Sequence, residues 1–176
     1  ESPHTPEQWR QYHDIRRRVL WESRGKFGVY DETHPDEHKP GNFPMLLRFR
    51  AEAIGVVRID IEQERAIFRR VAIRETLQRQ GHGTQLVRLA ERFAQGRGCT
   101  HVYSYVDPLA VAFYEKCGFQ LDPRCSANPS HVGMQKPLLA DAVLDMKVSG
   151  EGIADYRYRL LPVFSNLLPA DRDMAG

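Results

Sequence analysis

Cysteine is scarce and unpatterned in this sequence. The 176 residues contain three, Cys99, Cys117 and Cys125. That odd number lacks the paired spacing of a metal site, so no disulfide framework is expected and the setting is read as reducing and cytoplasmic. Long apolar runs are missing too: none approaches the roughly 20 residues of a membrane-crossing helix, and mean hydropathy is -0.52. A membrane partner is therefore not expected. The first residues, Glu-Ser-Pro-His, carry no basic-then-apolar signal pattern. No paired-cysteine pattern accompanies the seven histidines, so no metal is expected. Neither sign of charge dominates, with 25 Lys and Arg against 23 Asp and Glu and a net charge of +2, which excludes a charged disordered tail. At 41% hydrophobic, the chain has the apolar content of one packed domain.

The charge is nonetheless unevenly spread. Between Arg65 and Arg97 lie eight arginines and two acids, a net +6, so the remainder carries -4. A basic middle of this kind suits an anionic partner. Nucleic acid is the weaker candidate. Arg16-Arg17-Arg18 is basic, but no stacking motif or helix-turn-helix pattern accompanies it.

Thr5-Pro6-Glu7-Gln8 has the form of a helix start, with a capping residue, a first-position proline and a capping-box glutamine. Helical spacing of Trp9, Tyr12, His13, Arg16 and Val19/Leu20 predicts a helix to about Ser23, stopped by Gly25. Phe27 to Phe43 reads as a long loop. Strands are predicted from Met45 to Phe49, where residues alternate, then over Ile54–Ile61 and Arg65–Ile73. Leu86, Leu89, Ala90, Phe93 and Ala94 form one face of a helix stopped by Gly96 and Gly98. His101–Val106 reads as a strand, Asp107-Pro108 opens a helix that Gly118 closes, and Val132–Leu138 reads as a last strand. The fold class is mixed α/β. Beyond Asp141 the pattern fades, although Tyr156 to Leu160 alternates like a strand. Residues 141–176 are read as an extension to a 1–140 domain, with packing, a lid or a dimer arm as its open roles.

The chemistry lies in Gln78-Arg79-Gln80-Gly81-His82-Gly83-Thr84, between a strand and a helix. A helix start has N–H groups without intrahelical acceptors and a partial positive charge, and glycines let a ligand approach the backbone. Together these suit a phosphate cradle, and a glycine-containing strand-to-helix turn with no ligand is the other reading of Gly-x-Gly alone. It is not a Walker loop, because no Gly-Lys-Ser/Thr occurs, nor a Rossmann fingerprint, because Leu86 stands where a third glycine would be.

Gln78-x-x-Gly81-x-Gly83 resembles the Arg/Gln-x-x-Gly-x-Gly/Ala motif of the GCN5-related N-acetyltransferases. Asp107-x-x-Ala110-x-x-Phe113-Tyr114-Glu115-Lys116-x-Gly118-Phe119 resembles their Asn-x-x-Ala-x-x-Phe-Tyr-Glu-Lys-x-Gly-Phe. The resemblance is strongest over Ile54–Phe119 and extends to Thr5 and Leu138. It implies a mostly antiparallel central sheet flanked by helices, and transfer of acetyl from acetyl-CoA to a primary amine. It also implies that residues 78–84 hold the pyrophosphate, that Val71, Ala72 and Ile73 hold the pantetheine arm and thioester, and that Tyr114 is the general acid. Where the family has Asn stands Asp107, equal as a helix cap but unable to donate a hydrogen bond to CoA while ionised.

The base is less defined. Glu64 ranks first, ahead of Glu62, His101 and His131, and Arg69 and Arg70 would repel a cationic amine if they faced the pocket. The loop acids Asp31, Glu32, Asp36 and Glu37, with His34 and His38, form a cluster able to attract one. An acyl-CoA-binding module without turnover is the alternative reading. Small amine, antibiotic, amino acid, peptide N-terminus and protein lysine all remain open as acceptors, and a homodimer is open as well.

Overall fold

A computed structural model describes residues 5–124, 130–138 and 157–162. Its centre is a seven-stranded sheet in the order β5-β6-β4-β3-β2-β1-β7. The strands are β1 (Asn42–Phe49), β2 (Glu52–Glu62), β3 (Arg65–Ile73), β4 (His101–Val106), β5 (Gln120–Leu121), β6 (Val132–Pro137) and β7 (Tyr158–Pro162). Every neighbouring pair is antiparallel except β3 and β4, which are parallel. Between those two runs helix α2 (His82–Gly96), the crossover that a parallel pair requires.

Both faces of the sheet are covered. On one, Leu86, Val87, Ala90 and Ala94 of α2 pack with Met45, Leu47, Ile54, Val57 and Phe68. On the other, Tyr12 and Ile15 of helix α1 (Pro6–Arg16) pack with Leu46, Ala53, Val56 and Ala72. Leu46 is therefore as buried as Met45 and Leu47, and the alternation expected in β1 fails because the strand has no solvent face at its centre. An 11-residue helix is marginal alone, so α1 depends on this packing.

Thr5 caps α1 by accepting from the Gln8 N–H, and Pro6 takes the first helical position, as the sequence predicts. The helix does not continue unchanged to Ser23. It widens into one π-helical turn over Arg17–Trp21, tightens into a 3-10 turn over Glu22–Arg24, and ends at Gly25 with φ 71°. The π turn inserts one residue into the helical register, and it lies beside the cavity described below. The helix expected after Asp107 is likewise split, into a 3-10 turn over Pro108–Ala110 and helix α3 (Val111–Lys116). Strand β5 was not legible, being two residues long. Within the tail, β7 pairs antiparallel with β1 from Phe49↔Tyr158 to Met45↔Pro162, so residues 158–162 extend the sheet; Tyr156 lies outside the described residues.

Candidate active site

β3 and β4 are paired only from Arg65↔His101 to Phe68↔Ser104. Beyond that point β3 runs on to Ile73 and β4 to Val106, and the two separate into a V. The Ser104 hydroxyl pins the vertex by donating to the Phe68 carbonyl at 3.1 Å. A bulge accompanies the divergence: the β2–β3 register shifts between Val56 and Arg58, and Arg70 adopts φ 57°. Bulges bend the strand that carries them. Along Val71, Ala72 and Ile73, β3 thus has an edge that β4 does not cover, where backbone groups are open to a ligand.

The Gln78–Thr84 loop follows. Arg79 has φ 60° and Gly81 has φ 86°, so left-handed residues alternate with ordinary ones and turn N–H groups inward, as in anion-binding nests. The first α2 hydrogen bond is donated by the Gln85 N–H to the Gly81 carbonyl. Those of His82, Gly83 and Thr84 therefore precede any intrahelical acceptor. Gln78 and Gln80 shape the loop, donating to the carbonyls of Ile73 at 2.9 Å and Thr76 at 3.1 Å. Gly81 has open space around it, whereas a Cβ on Gly83 would lie 3.1 Å from the Phe113 ring, so helix packing as well as ligand approach requires that glycine. His82 is buried, its Nδ1 2.7 Å from the Tyr158 hydroxyl. Its side chain thus anchors β7. Asp107 accepts from the Leu109 N–H at 2.9 Å, with its other oxygen 3.4 Å from Arg24.

Tyr114 projects from α3 toward the vertex, edge-on to Phe113 and Phe119. Burial pushes its phenol up to about 12, and the neighbouring Ser104 hydroxyl only partly opposes this. It remains protonated across the neutral range. Glu64 is elsewhere: exposed on the β2–β3 turn, with its carbonyl accepting from the Thr100 N–H at 2.8 Å. Neither it nor His101 lines the cavity, whereas Glu62 and His131 do.

That cavity, of about 810 Å³, opens beside the vertex and is walled by α1, the 29–39 loop, β2, β3, Tyr105 and His131. Its floor is a chain of ion pairs. Glu37 is buried, meeting Arg16 at 2.6 Å and Arg58 at 3.1 Å and accepting from the Tyr12 hydroxyl at 2.8 Å. Asp60 takes two bonds from Arg58, at 2.7 and 2.9 Å, and one from Arg69 at 2.7 Å. The loop cluster expected to attract a cation is therefore largely committed: Glu37 to these arginines, Asp36 to Arg58 at 3.7 Å, and Asp31 to Thr33. Arg69 and Arg70 both face the cavity. Adjacent residues of a regular strand point oppositely, and the bulge removes that alternation. This network was hidden in the sequence, although the spacing of Val56, Arg58 and Asp60 on one strand face could have suggested a buried pair.

Among the described residues no helix is long and apolar enough to cross a membrane, and no group of His, Cys, Asp or Glu is placed to hold a metal. A mixed sheet split at its parallel pair, with a nest at the following helix, defines an acyl-CoA N-acyltransferase fold. Residues 6–119 match the model of the acetyltransferase (GNAT) family, and the chain belongs to that family. Among solved structures it resembles a Lactobacillus plantarum protein provisionally assigned as an N-acetyltransferase, at 26% identity and TM-score 0.64, over 77% of this chain and 94% of that one. An aminoglycoside 6'-N-acetyltransferase complexed with coenzyme A shares the fold at 15% identity and TM-score 0.65, over 77% and 93%. The ribosomal-protein-S18-alanine N-acetyltransferase from Escherichia coli does so at 16% and 0.60, over 88% and 97%. No relative emerges among curated protein sequences.

Proposed function

We propose that this protein transfers the acetyl group of acetyl-CoA to a primary amine. The observation that carries this reading is the V between β3 and β4, which has the loop nest at one end and the charged cavity beside its vertex. The nest and Arg79 would hold the pyrophosphate, and the open edge at Val71–Ile73 the pantetheine arm. N–H groups of the same edge would stabilise the oxyanion at the thioester carbonyl. The amine nitrogen bonds to the carbonyl carbon, the C–S bond breaks, and the sulfur leaves as thiolate with the Tyr114 phenol donating a hydrogen bond to it. The amine's proton goes to solvent at the cavity mouth.

A thiol near pKa 8.5 is already a fair leaving group. Tyr114→Phe is therefore expected to lower kcat by about tenfold rather than abolish it. Thiol release measured with a panel of amines checks this, and an unchanged kcat would remove Tyr114 from the mechanism.

The loop has its own test. A β-branched residue is a backbone outlier at φ 86°, so Gly81→Val should weaken CoA binding about tenfold or more, measured by calorimetry, while the melting temperature moves little. Unchanged affinity would refute the cradle. A binding module without turnover has one observation in its favour, the commitment of Glu37 and Asp60 to arginines. CoA binding with no thiol release from any amine would select it.

A further inference from the structure

Counted whole, the cavity lining is neutral, with Arg16, Arg58, Arg69, Arg70 and Lys39 against five acids. Its distribution is not. Glu37 and Asp60 are buried among Arg16, Arg58 and Arg69, while Glu62 stands exposed toward the far end of β2 and Asp31 is turned to Thr33 on the outer loop. Arg70 has no carboxylate partner among the described residues. Its guanidinium lies 5.1 Å from the Trp21 ring, and partial burial together with Arg16, Arg58 and Arg69 pushes its pKa down. Its backbone holds φ 57°, a left-handed conformation that L-residues rarely adopt, and this bulge aims a second arginine into the cavity next to Arg69. The residue that follows is Val71, at the start of the open edge.

From this geometry we propose that Arg70 binds a carboxylate carried by the acceptor itself, so that the cavity selects amines with a carboxylate a few bonds from the nitrogen, as in an amino acid. The proposal extends the acetyl-transfer reading and rests on it for the position of the nitrogen. A planar guanidinium steadied by an indole offers two parallel donors to a planar carboxylate, a stronger match than to a neutral group. A purely cationic amine would meet repulsion from Arg70, while the buried acids Glu37 and Asp60 are already held by other arginines.

Two measurements on the full chain test this. In the first, saturation-transfer NMR with CoA present compares a pool of N-acetylated amino acids with the pool of their carboxamides. Transfer to the acids, absent for the amides and lost in Arg70→Gln, is expected; equal transfer to both, or an undiminished signal in Arg70→Gln, overturns the proposal. In the second, thiol release is followed with amino acids and their amides. The best acid should exceed its amide by about 30-fold in kcat/KM, and Arg70→Gln should bring it near the amide while Arg70→Lys restores part. Equal turnover of acid and amide overturns the carboxylate site but leaves acetyl transfer standing. Acid-selective binding without thiol release from any amine overturns acetyl transfer and leaves the site. An aminoalkyl phosphonate turned over faster than every carboxylate would overturn the choice of carboxylate.

Discussion

Replacing Glu37 with alanine is expected to destabilise the fold by about 3–5 kcal/mol, because the change leaves buried Arg16 without a carboxylate and takes from Arg58 one of the two that hold it, Asp60 being the other. Arg16 and Arg58 have side chains only 5% and 7% exposed, and Glu37 is 2% exposed, so water cannot take over the lost bonds. The Tyr12 hydroxyl, fully buried, loses its acceptor as well. For a chain of this size the loss corresponds to a melting temperature lower by roughly 10 °C. Glu37→Gln should recover part of it, since the amide oxygen still accepts. A shift of only one or two degrees for the alanine variant would show that the network is solvated and contributes little.

The same residue sets an acid limit. Burial alone would raise the Glu37 carboxyl, but hydrogen bonding and attraction from Arg16, with Tyr12 and Arg58, outweigh it, and the net shift is downward from 4.5. A carboxyl lowered in the folded state contributes stability that is complete above its unfolded value and disappears as pH falls through the folded one. The melting temperature of the wild type should therefore drop below about pH 4.5 more steeply than that of Glu37→Gln.

Local signals were the legible part of this chain. Thr5 with Pro6, Gly25, Asp107 with Pro108, and Gly118 each mark a turn or helix end by chemistry confined to a few residues, and each does so in the structure. The two motif segments around Gly81 and Tyr114 belong to the same category. What stayed hidden depends on partners distant along the chain. Tyr158 meets His82 across 76 positions, and Glu37 meets Arg58 across 21; no periodicity reports such pairings. The bulge at Arg70 is illegible because nothing in Arg69-Arg70-Val71 marks it by composition, and the bulge alone turns both arginines to one side. The preference for Glu64 followed from its place beside the central strand. Parity along β2 would have favoured Glu62, which shares a strand face with Arg58 and Asp60, whereas Glu64 sits beyond the last paired residue, on the turn.

If the proposed acetyl transfer takes place in the arginine-lined cavity, the cavity also bears on how the amine loses its proton. Glu37 and Asp60 are both held by arginines, so neither is free to take the proton of an ammonium. On the acetyl-transfer proposal the acceptor would then enter already deprotonated, with no dedicated base. The expected result is a kcat/KM that rises about 100-fold between pH 7 and 9 for an acceptor whose pKa is near 10, in proportion to its free-amine fraction. The midpoint should then move with the acceptor: a less basic amine should reach its plateau earlier by as many pH units as its pKa is lower. No descending limb is expected below pH 10, because Tyr114, the group whose ionisation would remove the hydrogen bond to sulfur, is pushed up to about 12. Glu64→Gln should leave the profile where it is, since that carboxylate stands exposed on the far turn. An ascending limb fixed at one pH for every acceptor would assign the proton to a protein group instead, and His131, which lines the cavity, would be the next residue to replace.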